Sequence, residues 1–321
     1  MLTASECLKK SLDGDIVSLT VIILTLNEEL HIERCLRNVL DLAEHVIVID
    51  SFSTDRTVEI ARGLGADVVQ RAFKNQADQF QWALDHHDVT SDWSLRLDAD
   101  EYLEDALKAE IRSRLAGLPE KITGVILRRK VIFRGQWIKW GGTYPSFFLR
   151  LWRTGAGRIE LRWMDEHMVL NHGEAITFGN DFVDHNLQDI TWWTEKHNRF
   201  TTRQMVDFIN LEFGLFPVDH SIEASPYTQA GLKRFLRNRV FGRAPLYLRG
   251  LLYFGQRYFL RLGFLDGRQG FVFHFLQGCW NWILTDAKID EARSYIKANG
   301  LDAFKEHLKG HHNIDLNEDG K

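Results

Sequence analysis

The stretch LTVIILTLNEE, residues 19–29, decides the fold. It opens with a continuous apolar run of strand length that is rich in β-branched side chains. Such runs are typical of a parallel strand that is buried on both faces. Asn27 follows as a predicted helix cap, with Glu28 and Glu29 in the first turn, where acidic side chains stabilise a helix. The stretch therefore predicts a buried strand followed by a helix.

Three further strands are predicted on the C-terminal side of this stretch. They are HVIVID (residues 45–50), ADVVQ (residues 66–70) and WSLRLD (residues 93–98). A helix that begins at Ser53 or Thr54 and ends at Gly63 and Gly65 separates the first two, and residues 76–86 form another. Strands that alternate with helices imply a parallel sheet with right-handed crossovers. The sequence thus predicts the α/β fold class.

Polar residues follow three of these strands at the point where each strand ends. They are Thr25, Asn27 and Glu28 after the first, Asp50 and Ser51 after the second, and Asp98, Asp100 and Glu101 after the fourth. Ligands of parallel sheets bind outside the carboxyl ends of the strands. Carboxylates such as Asp98 and Asp100 suit Mg²⁺ or Mn²⁺ shared with substrate phosphates. We therefore expect a site for a divalent cation and a phosphorylated ligand at this edge.

A mixed region follows residue 116. Residues 122–133 and 146–152 predict strands, and residues 190–209 predict a helix. The loop between the two strands is rich in glycine and aromatic residues, namely Trp137, Trp140, Gly141, Gly142 and Tyr144. Aromatic faces stack on sugars and glycine allows close approach, so this loop is a candidate acceptor platform. A loop packed in the protein core remains the alternative.

Residues 224–265 contain no acidic residue but eight basic ones, interleaved with aromatics. This composition predicts an element that lies at an anionic membrane surface, through Lys233, Arg234, Arg237, Arg239 and Arg243. One alternative is a basic helical pair packed on the catalytic domain. A nucleic-acid interface is the other, but no nucleic-acid-binding motif supports it and the net charge of the whole chain is -4. We therefore expect no nucleic-acid partner.

Five stretches together resemble the family 2 glycosyltransferases with a GT-A fold. They are VIILTLNEELHIERCL (residues 21–36), VIVIDSFSTDRTVEIA (46–61), WSLRLDADEYL (93–103), WGGTYPSFFLRLWR (140–153) and GFLDGRQGF (263–271). Within that family the chain is most similar to bacterial lipopolysaccharide-core and capsule glycosyltransferases. The resemblance covers roughly residues 19–287. It implies a GT-A nucleotide-diphospho-sugar domain over residues 16–220, with a helical, basic and aromatic C-terminal region over residues 221–310.

The resemblance also implies roles for residues at the sheet edge. Thr25, Asn27 and Glu28 would line the nucleotide pocket, and Asp50 would lie near the nucleobase. Ser51 stands where many family members carry a second acid that faces uracil, so base recognition differs in its details. The implied donor is a nucleotide-sugar, with a UDP-sugar favoured.

The metal site that the resemblance implies involves three residues. Asp100 would bind Mg²⁺ or Mn²⁺ directly, and Asp98 would face the ribose or the metal. His185 resembles a downstream histidine that binds metal or diphosphate in GT-A enzymes, although a lone histidine often has a structural role.

A direct displacement at the anomeric carbon needs a carboxylate that removes the proton of the acceptor hydroxyl. RWMDEHMVL offers Glu166, our first choice, and Asp165. The alternative is an acidic turn paired with Arg162 or His167. Lys196 and Arg199 lie three residues apart on a predicted helix and could contact the diphosphate. A solvated helix face would explain these two residues equally well.

The sequence thus predicts an inverting glycosyltransferase that acts on a lipid-linked or lipopolysaccharide-type glycan. A nucleotidyltransferase is a rival, but it would typically carry a glycine-rich loop after the first strand, where this chain has TLNEE. A non-catalytic sugar- or lipid-binding protein is the other rival. Three widely spaced cysteines and an N-terminus without an apolar run favour the cytoplasm, and no apolar stretch is long enough to span a membrane. We expect a peripheral protein on the inner face of the cytoplasmic membrane.

Overall fold

The structure, a computed structural model, describes residues 17–87, 89–160, 166–217 and 244–316. Contacts divide the chain into two compact units. The first comprises the described residues up to Lys139, then Thr143–Glu160 and His167–Leu187. The second comprises Trp140–Gly142, Glu166 and the described residues from Gln188 onward. The predicted domain boundary between residues 220 and 221 lies outside the described residues and stays a prediction.

The N-terminal half of the first unit is the predicted alternation of strands and helices. Its elements are β1 (Val17–Thr25), α1 (Ile32–Val39), β2 (Ala43–Asp50), α2 (Thr57–Gly63), β3 (Asp67–Gln70), α3 (Gln76–His86) and β4 (Trp93–Asp98). The strands lie in the order β3-β2-β1-β4 and all three pairings are parallel. The predicted α/β class is confirmed.

The run in β1 is continuously apolar because both faces of this strand are covered. Val21 and Ile23 point to one side, where they share a buried cluster with residues of α1 such as Leu36. Ile22 points to the other side and packs in a second cluster that contains Phe80 of α3. Side chains alternate across a strand, so a strand with a helix layer on each face needs apolar residues at every position.

The C-terminal half of the first unit adds antiparallel pairings, so the complete sheet is mixed. Its elements are β5 (Glu101–Leu103), α4 (Asp105–Arg114), a 3₁₀ turn (Leu115–Gly117), β6 (Ile122–Phe133), β7 (Gln136–Trp137), β8 (Ser146–Arg153), β9 (Gly157–Ile159), β10 (Met168–Leu170) and β11 (Glu174–His185). The sheet continues from β4 through β8, β6 and β11 to β5, and β9 pairs with β10 separately. Strands β6 and β8 were predicted, whereas β5, β7, β9, β10 and β11 were not.

The described part of the second unit is helical, as predicted. It contains α5 (Ile190–Phe213), α6 (Leu248–Gly255), a π-helix (Gln256–Leu260), a 3₁₀ turn (Gly263–Asp266), α7 (Gly267–His274), a second π-helix (Phe275–Trp280), α8 (Asn281–Asn299) and α9 (Leu301–His312). Its core joins Val206 and Ile209 of α5 to Ile289 of α8 and Leu308 of α9. No helix in the described ranges is long and apolar enough to cross a bilayer.

Two predicted helix caps are wrong. Helix α1 begins at Ile32, with His31 at the N-cap, and Asn27 instead adopts a left-handed backbone with φ of 56°. Helix α2 has Arg56 at its N-cap without a side-chain cap. The hydroxyls of Ser53 and Thr54 are engaged elsewhere: that of Ser53 donates to Asp50 at the end of β2, and that of Thr54 donates to Asn27 Oδ1 (3.4 Å) in the loop after β1. Tertiary hydrogen bonds have replaced the local caps.

Candidate active site

The register of the sheet brings the predicted polar residues to one edge. Strand β1 lies between β2 and β4, and its last residues pair Thr25 with Asp50 and Leu24 with Asp98. The carboxyl ends of these three parallel strands lie side by side, so the polar residues at and after each strand end lie at the same edge of the sheet. The expected convergence of Asp50 and Asp98 on a single sheet edge is present.

Asp50 is completely buried, and protein donors hold both of its carboxylate oxygens. Oδ1 accepts from the hydroxyls of Thr25 (3.0 Å) and Ser53 (2.5 Å). Oδ2 accepts from the Ser53 amide (2.9 Å) and from Gln70 Nε2 (3.0 Å). Hydrogen bonds to an ionised acceptor are about twice as strong as neutral ones, so this carboxylate fixes the loop after β2. Its predicted position near a nucleobase stays a prediction.

Asn27 and Glu28 connect the loop after β1 to the segment that follows β2. The Asn27 amide donates to Ser53 Oγ (2.8 Å), and its side-chain oxygen accepts from the Thr54 amide (2.8 Å). The Glu28 amide donates to Thr57 Oγ1 (2.7 Å) at the start of α2. These bonds hold the two loops as one wall beside the strand ends.

His31 is a site residue that the sequence analysis missed. Its ring is fully buried, and Nε2 accepts a hydrogen bond from the Leu187 amide (2.9 Å). Because Nε2 is an acceptor, Nδ1 carries the proton and donates to Glu28 Oε2, which lies 2.6 Å away. The imidazole thereby connects the loop after β1 to the turn after β11.

Asp98 lies among buried charges at the end of β4. Its side chain is one-third exposed (33%), and its oxygens lie 3.6 Å from Arg96 Nε and 3.5 Å from Arg150 Nη2. Arg150 also donates to the buried Glu101 (2.7 Å), whose other oxygen accepts from the Asp98 amide (2.9 Å). Burial raises the pKa of Glu101 to about 8, while Arg150 opposes the shift. Arg96 and Arg150 thus place positive charge next to the acidic residues at the end of β4.

Asp100 follows in the turn between β4 and β5. Asn186 Nδ2 donates to its Oδ2 (2.9 Å), and the His185 amide donates to its backbone carbonyl (3.0 Å). Arg34 of α1 donates from Nη2 to the carbonyls of Asp100 (3.0 Å) and His185 (2.6 Å). This role of Arg34 could not be predicted from sequence, because the two carbonyls lie on segments distant from α1 along the chain. Arg34 clamps the turn that carries Asp100 to the end of β11.

His185 ends β11 beside this turn, as the predicted metal site requires. Burial, together with the neighbouring Arg34, lowers the pKa of His185, and a neutral imidazole is the form that binds metals. No group of three or more His, Cys, Asp or Glu side chains in the described ranges could hold a metal ion, so Asp98, Asp100 and His185 do not form such a group. Mg²⁺ is usually bound by one or two carboxylates and completed by substrate phosphates and water, and Asp98 and Asp100 fit that mode.

The other predicted site residues belong to the second unit or lie outside the described residues. Glu166 is half-buried and interacts electrostatically with Arg203. Lys196 and Arg199 lie on α5, where the Lys196 ammonium sits over the rings of Trp192 (4.7 Å) and Phe200 (5.8 Å). The candidate base Asp165 lies outside the described residues. The catalytic and diphosphate-binding roles stay predictions.

The glycine- and tryptophan-rich loop is divided between the two units. In the first unit, Trp137 packs edge-to-face on Tyr144, whose hydroxyl donates to Asp181 (3.0 Å). In the second unit, Gly141 has φ of 67°, and a Cβ there would lie 2.2 Å from the ring of His274. Protein side chains already occupy the space that this glycine leaves, which favours the packed-loop interpretation at that position.

Comparisons with known proteins match the segment of the chain that contains the strand-end residues. Residues 20–173, just under half of the chain, match the model of glycosyl transferase family 2. An uncharacterized glycosyltransferase of Rickettsia bellii is 42% identical over 93 residues, which cover 29% of this chain and 31% of the relative. The lipopolysaccharide core biosynthesis glycosyltransferase LpsC of Rhizobium meliloti is 29% identical over 148 residues, covering 44% of this chain and 53% of the relative.

The chain thus spans only about a third to a half of the length of these curated relatives. Among solved structures, TarS of S. aureus is 14% identical with a TM-score of 0.40, over 85% of this chain and 91% of that chain. This structural likeness is too weak to carry an argument. The family match and the observed sheet order agree with the GT-A type of α/β domain that the sequence resemblance implies. Residues 20–173 are thus similar to glycosyl transferase family 2.

Proposed function

We propose that this chain transfers a sugar from a nucleotide-sugar to a hydroxyl group of a glycan acceptor. The observation that carries the proposal is the position of Asp98 and Asp100 in a family 2 domain. Asp98 is the last residue of β4 and Asp100 lies two residues further on, beside the end of β1, where the loop that holds Asn27 and Glu28 meets the strand ends. Ligands of parallel sheets bind at this edge, and paired carboxylates there suit a nucleoside diphosphate with its cation.

In this proposal Asp100 is a direct ligand of Mg²⁺ or Mn²⁺, with Asp98 and His185 beside it. The bound cation supplies neutralisation of the charge that develops on the leaving diphosphate. Arg34 and Asn186 keep the Asp100 turn in place through the bonds described above. Thr25, Asn27, Glu28 and Asp50 shape the nucleotide side of the site.

The proposed reaction is a single displacement with inversion. Glu166 removes the proton of the attacking acceptor hydroxyl, with Asp165 as the second candidate, because a carboxylate is a suitable general base for this step. Lys196 and Arg199 contribute positive charge toward the donor diphosphate. Inversion follows because the acceptor oxygen attacks the anomeric carbon from the face opposite the departing nucleotide.

The proposed donor is a UDP-sugar, and the proposed acceptor is a lipid-linked or lipopolysaccharide-type glycan. The named role of the Rhizobium meliloti relative in lipopolysaccharide core biosynthesis supports the acceptor class. Lys233, Arg234, Arg237, Arg239 and Arg243 lie outside the described residues, and we propose that they attract the chain to anionic lipid on the inner face of the cytoplasmic membrane.

Nucleotide release from a panel of nucleotide-sugars, with Mn²⁺ or with a chelator, tests this function. We expect release of one nucleotide that requires the metal, and a loss of about 100-fold or more in transfer for Glu166→Gln. Glu174→Gln is the matched control, because Glu174 is an exposed carboxylate (62%) that pairs only loosely with Lys121 (3.2 Å).

Three results would contradict the proposal. Full activity of Asp100→Asn at saturating donor and metal would remove the metal assignment. Sugar binding without nucleotide release would favour the non-catalytic alternative. Release of pyrophosphate from a nucleoside triphosphate would favour a nucleotidyltransferase.

A further inference from the structure

The second unit exposes a group of large apolar side chains between its two π-helices. We define the aromatic patch as Phe259, Leu260, Phe264, Leu265, Phe271 and Phe275. Their exposed fractions are 60%, 80%, 44%, 52%, 46% and 41% in that order. Single exposed apolar residues are ordinary on protein surfaces, so the question is whether these six are contiguous.

Ring contacts show that the phenylalanines of the aromatic patch are contiguous. The ring centroid of Phe254 lies 6.4 Å from that of Phe259, 6.2 Å from that of Phe271 and 5.8 Å from that of Phe275. Phe264 joins the same group through Tyr258, whose ring lies 6.3 Å from it and 5.6 Å from Phe271. Leu260 and Leu265 are the direct chain neighbours of Phe259 and Phe264.

The aromatic patch is large for a monomer. With roughly 200 Å² of surface per phenylalanine, its four rings alone leave roughly 400 Å² exposed, and the two leucines add to this. The largest apolar patch of a typical monomeric protein is about 300–600 Å² and is often functional. With its two leucines, the aromatic patch reaches the upper part of this range, where a function is common.

The charges around the aromatic patch identify the kind of partner. Residues 244–289 contain only two acidic residues, Asp266 and Asp286, and both are buried (4% and 0% exposed). Arg261 and Arg268 are exposed in the same segment. Residues 244–289 thus present phenylalanine, leucine and arginine without an exposed carboxylate, and the exposed acids Asp290 and Glu291 follow only after this segment. This combination complements the anionic headgroups and the acyl boundary of a bilayer.

We propose that the aromatic patch inserts into the headgroup boundary of an anionic lipid bilayer. The inference rests on the proposed function in one respect, since a membrane-bound acceptor gives the chain a reason to lie on the bilayer. It differs from the attraction proposed for residues 233–243, because the binding surface here is apolar and is formed by residues 259–275. The two arginines contribute electrostatic attraction, and the rings and leucines contribute insertion.

Sedimentation of the full chain with phosphatidylcholine vesicles, with and without phosphatidylglycerol, tests the proposal. We expect binding that is strongest on the anionic vesicles. Replacing Phe259, Leu260 and Leu265 together by serine should lower the partition coefficient at least tenfold, because burial of apolar surface drives insertion. Arg268→Gln should lower it about fivefold on anionic vesicles only. Leu211→Ser is the control, because Leu211 lies outside the aromatic patch on α5, next to the acidic Glu212, and its exposed fraction (48%) is close to that of Leu265 (52%).

Unchanged binding of the triple-serine variant would overturn the proposal, as would a wild-type chain that binds neither kind of vesicle. Concentration-dependent self-association of the wild type that disappears in the triple variant would assign the aromatic patch to a second copy of the chain instead. Nucleotide release without vesicles separates the two proposals. The rate of nucleotide release should be the same in the triple variant and the wild type. If neither protein releases nucleotide, the proposed enzyme function is refuted, and vesicle binding still tests the aromatic patch independently.

Discussion

Replacing Asp50 by asparagine tests the finding that this acid is a structural part of the site. Each oxygen of the buried carboxylate accepts two hydrogen bonds, from Thr25, Ser53 and Gln70. An amide replaces one of these oxygens by a donor, so two of the four bonds lose their acceptor and the other two keep only a neutral one. At about 1.5–3 kcal/mol for each of the two bonds that are lost, we expect Asp50→Asn to lower the free energy of unfolding by roughly 3–6 kcal/mol.

Urea titration followed by circular dichroism measures this loss. Asp100→Asn is the matched control, because Asp100 is half-buried and its carboxylate accepts a side-chain hydrogen bond from Asn186, against the four bonds that Asp50 accepts. We expect that control to stay within about 1 kcal/mol of the wild type. An Asp50→Asn variant as stable as the wild type would refute the reasoning, since it would mean that the four bonds do not depend on the charge of Asp50.

Three further variants probe other parts of the structure. Arg34→Lys should raise the Mn²⁺ concentration needed for half-maximal activity about tenfold, because an ammonium cannot reproduce the planar guanidinium that binds the carbonyls of Asp100 and His185. The control Arg37→Lys, at an exposed arginine of the same helix, should leave this concentration unchanged. His31→Leu should lower the free energy of unfolding by about 2–4 kcal/mol in urea titration, because it leaves the Glu28 carboxylate and the Leu187 amide without their buried partner; a neutral effect would contradict the bridge. Burial lowers the pKa of His197 to about 4, below the value of about 6.5 in an unfolded chain, so protons bind preferentially to the unfolded state and stability falls as pH drops through that window. His197→Gln should therefore remove about 1–2 kcal/mol of the stability difference between pH 7 and pH 5, and an unchanged difference would show that the imidazole is not held neutral.

The parallel half of the sheet could be predicted from sequence because its signals are local. The helix over Gln76–His86 and the strand over Trp93–Asp98 have the predicted bounds, since continuous apolar runs and helical spacing mark them directly. The convergence of Asp50 and Asp98 followed from a general property of parallel sheets and needed only the strand order.

The strand Glu174–His185 could not be predicted, and the reason lies in its own residues. Gly179, Asn180 and Asp181 are typical of a turn, and the pairing with β6 shifts its register between Thr177 and Asp181. The strand is held by neighbours distant in sequence, including a carboxylate of Glu110 that accepts from the Gly179 and Asn180 amides. Because this strand positions His185 and the turn that follows it, the hydrogen bonds of Arg34 to the His185 carbonyl and of the Leu187 amide to His31 could not be predicted either.

In the proposed function, the acids Asp98 and Asp100 at the end of β4 gather a cation for a nucleoside diphosphate. Isothermal titration of UDP into the protein, with Mn²⁺ and with a chelator, tests it most directly, with Asp100→Asn as the variant and the exposed Asp92→Asn as the control. We expect Mn²⁺ to lower the dissociation constant of UDP at least tenfold in the wild type and in Asp92→Asn. In Asp100→Asn, Mn²⁺ should no longer strengthen UDP binding. An Asp100→Asn variant that keeps the full effect of Mn²⁺ on UDP binding would contradict it.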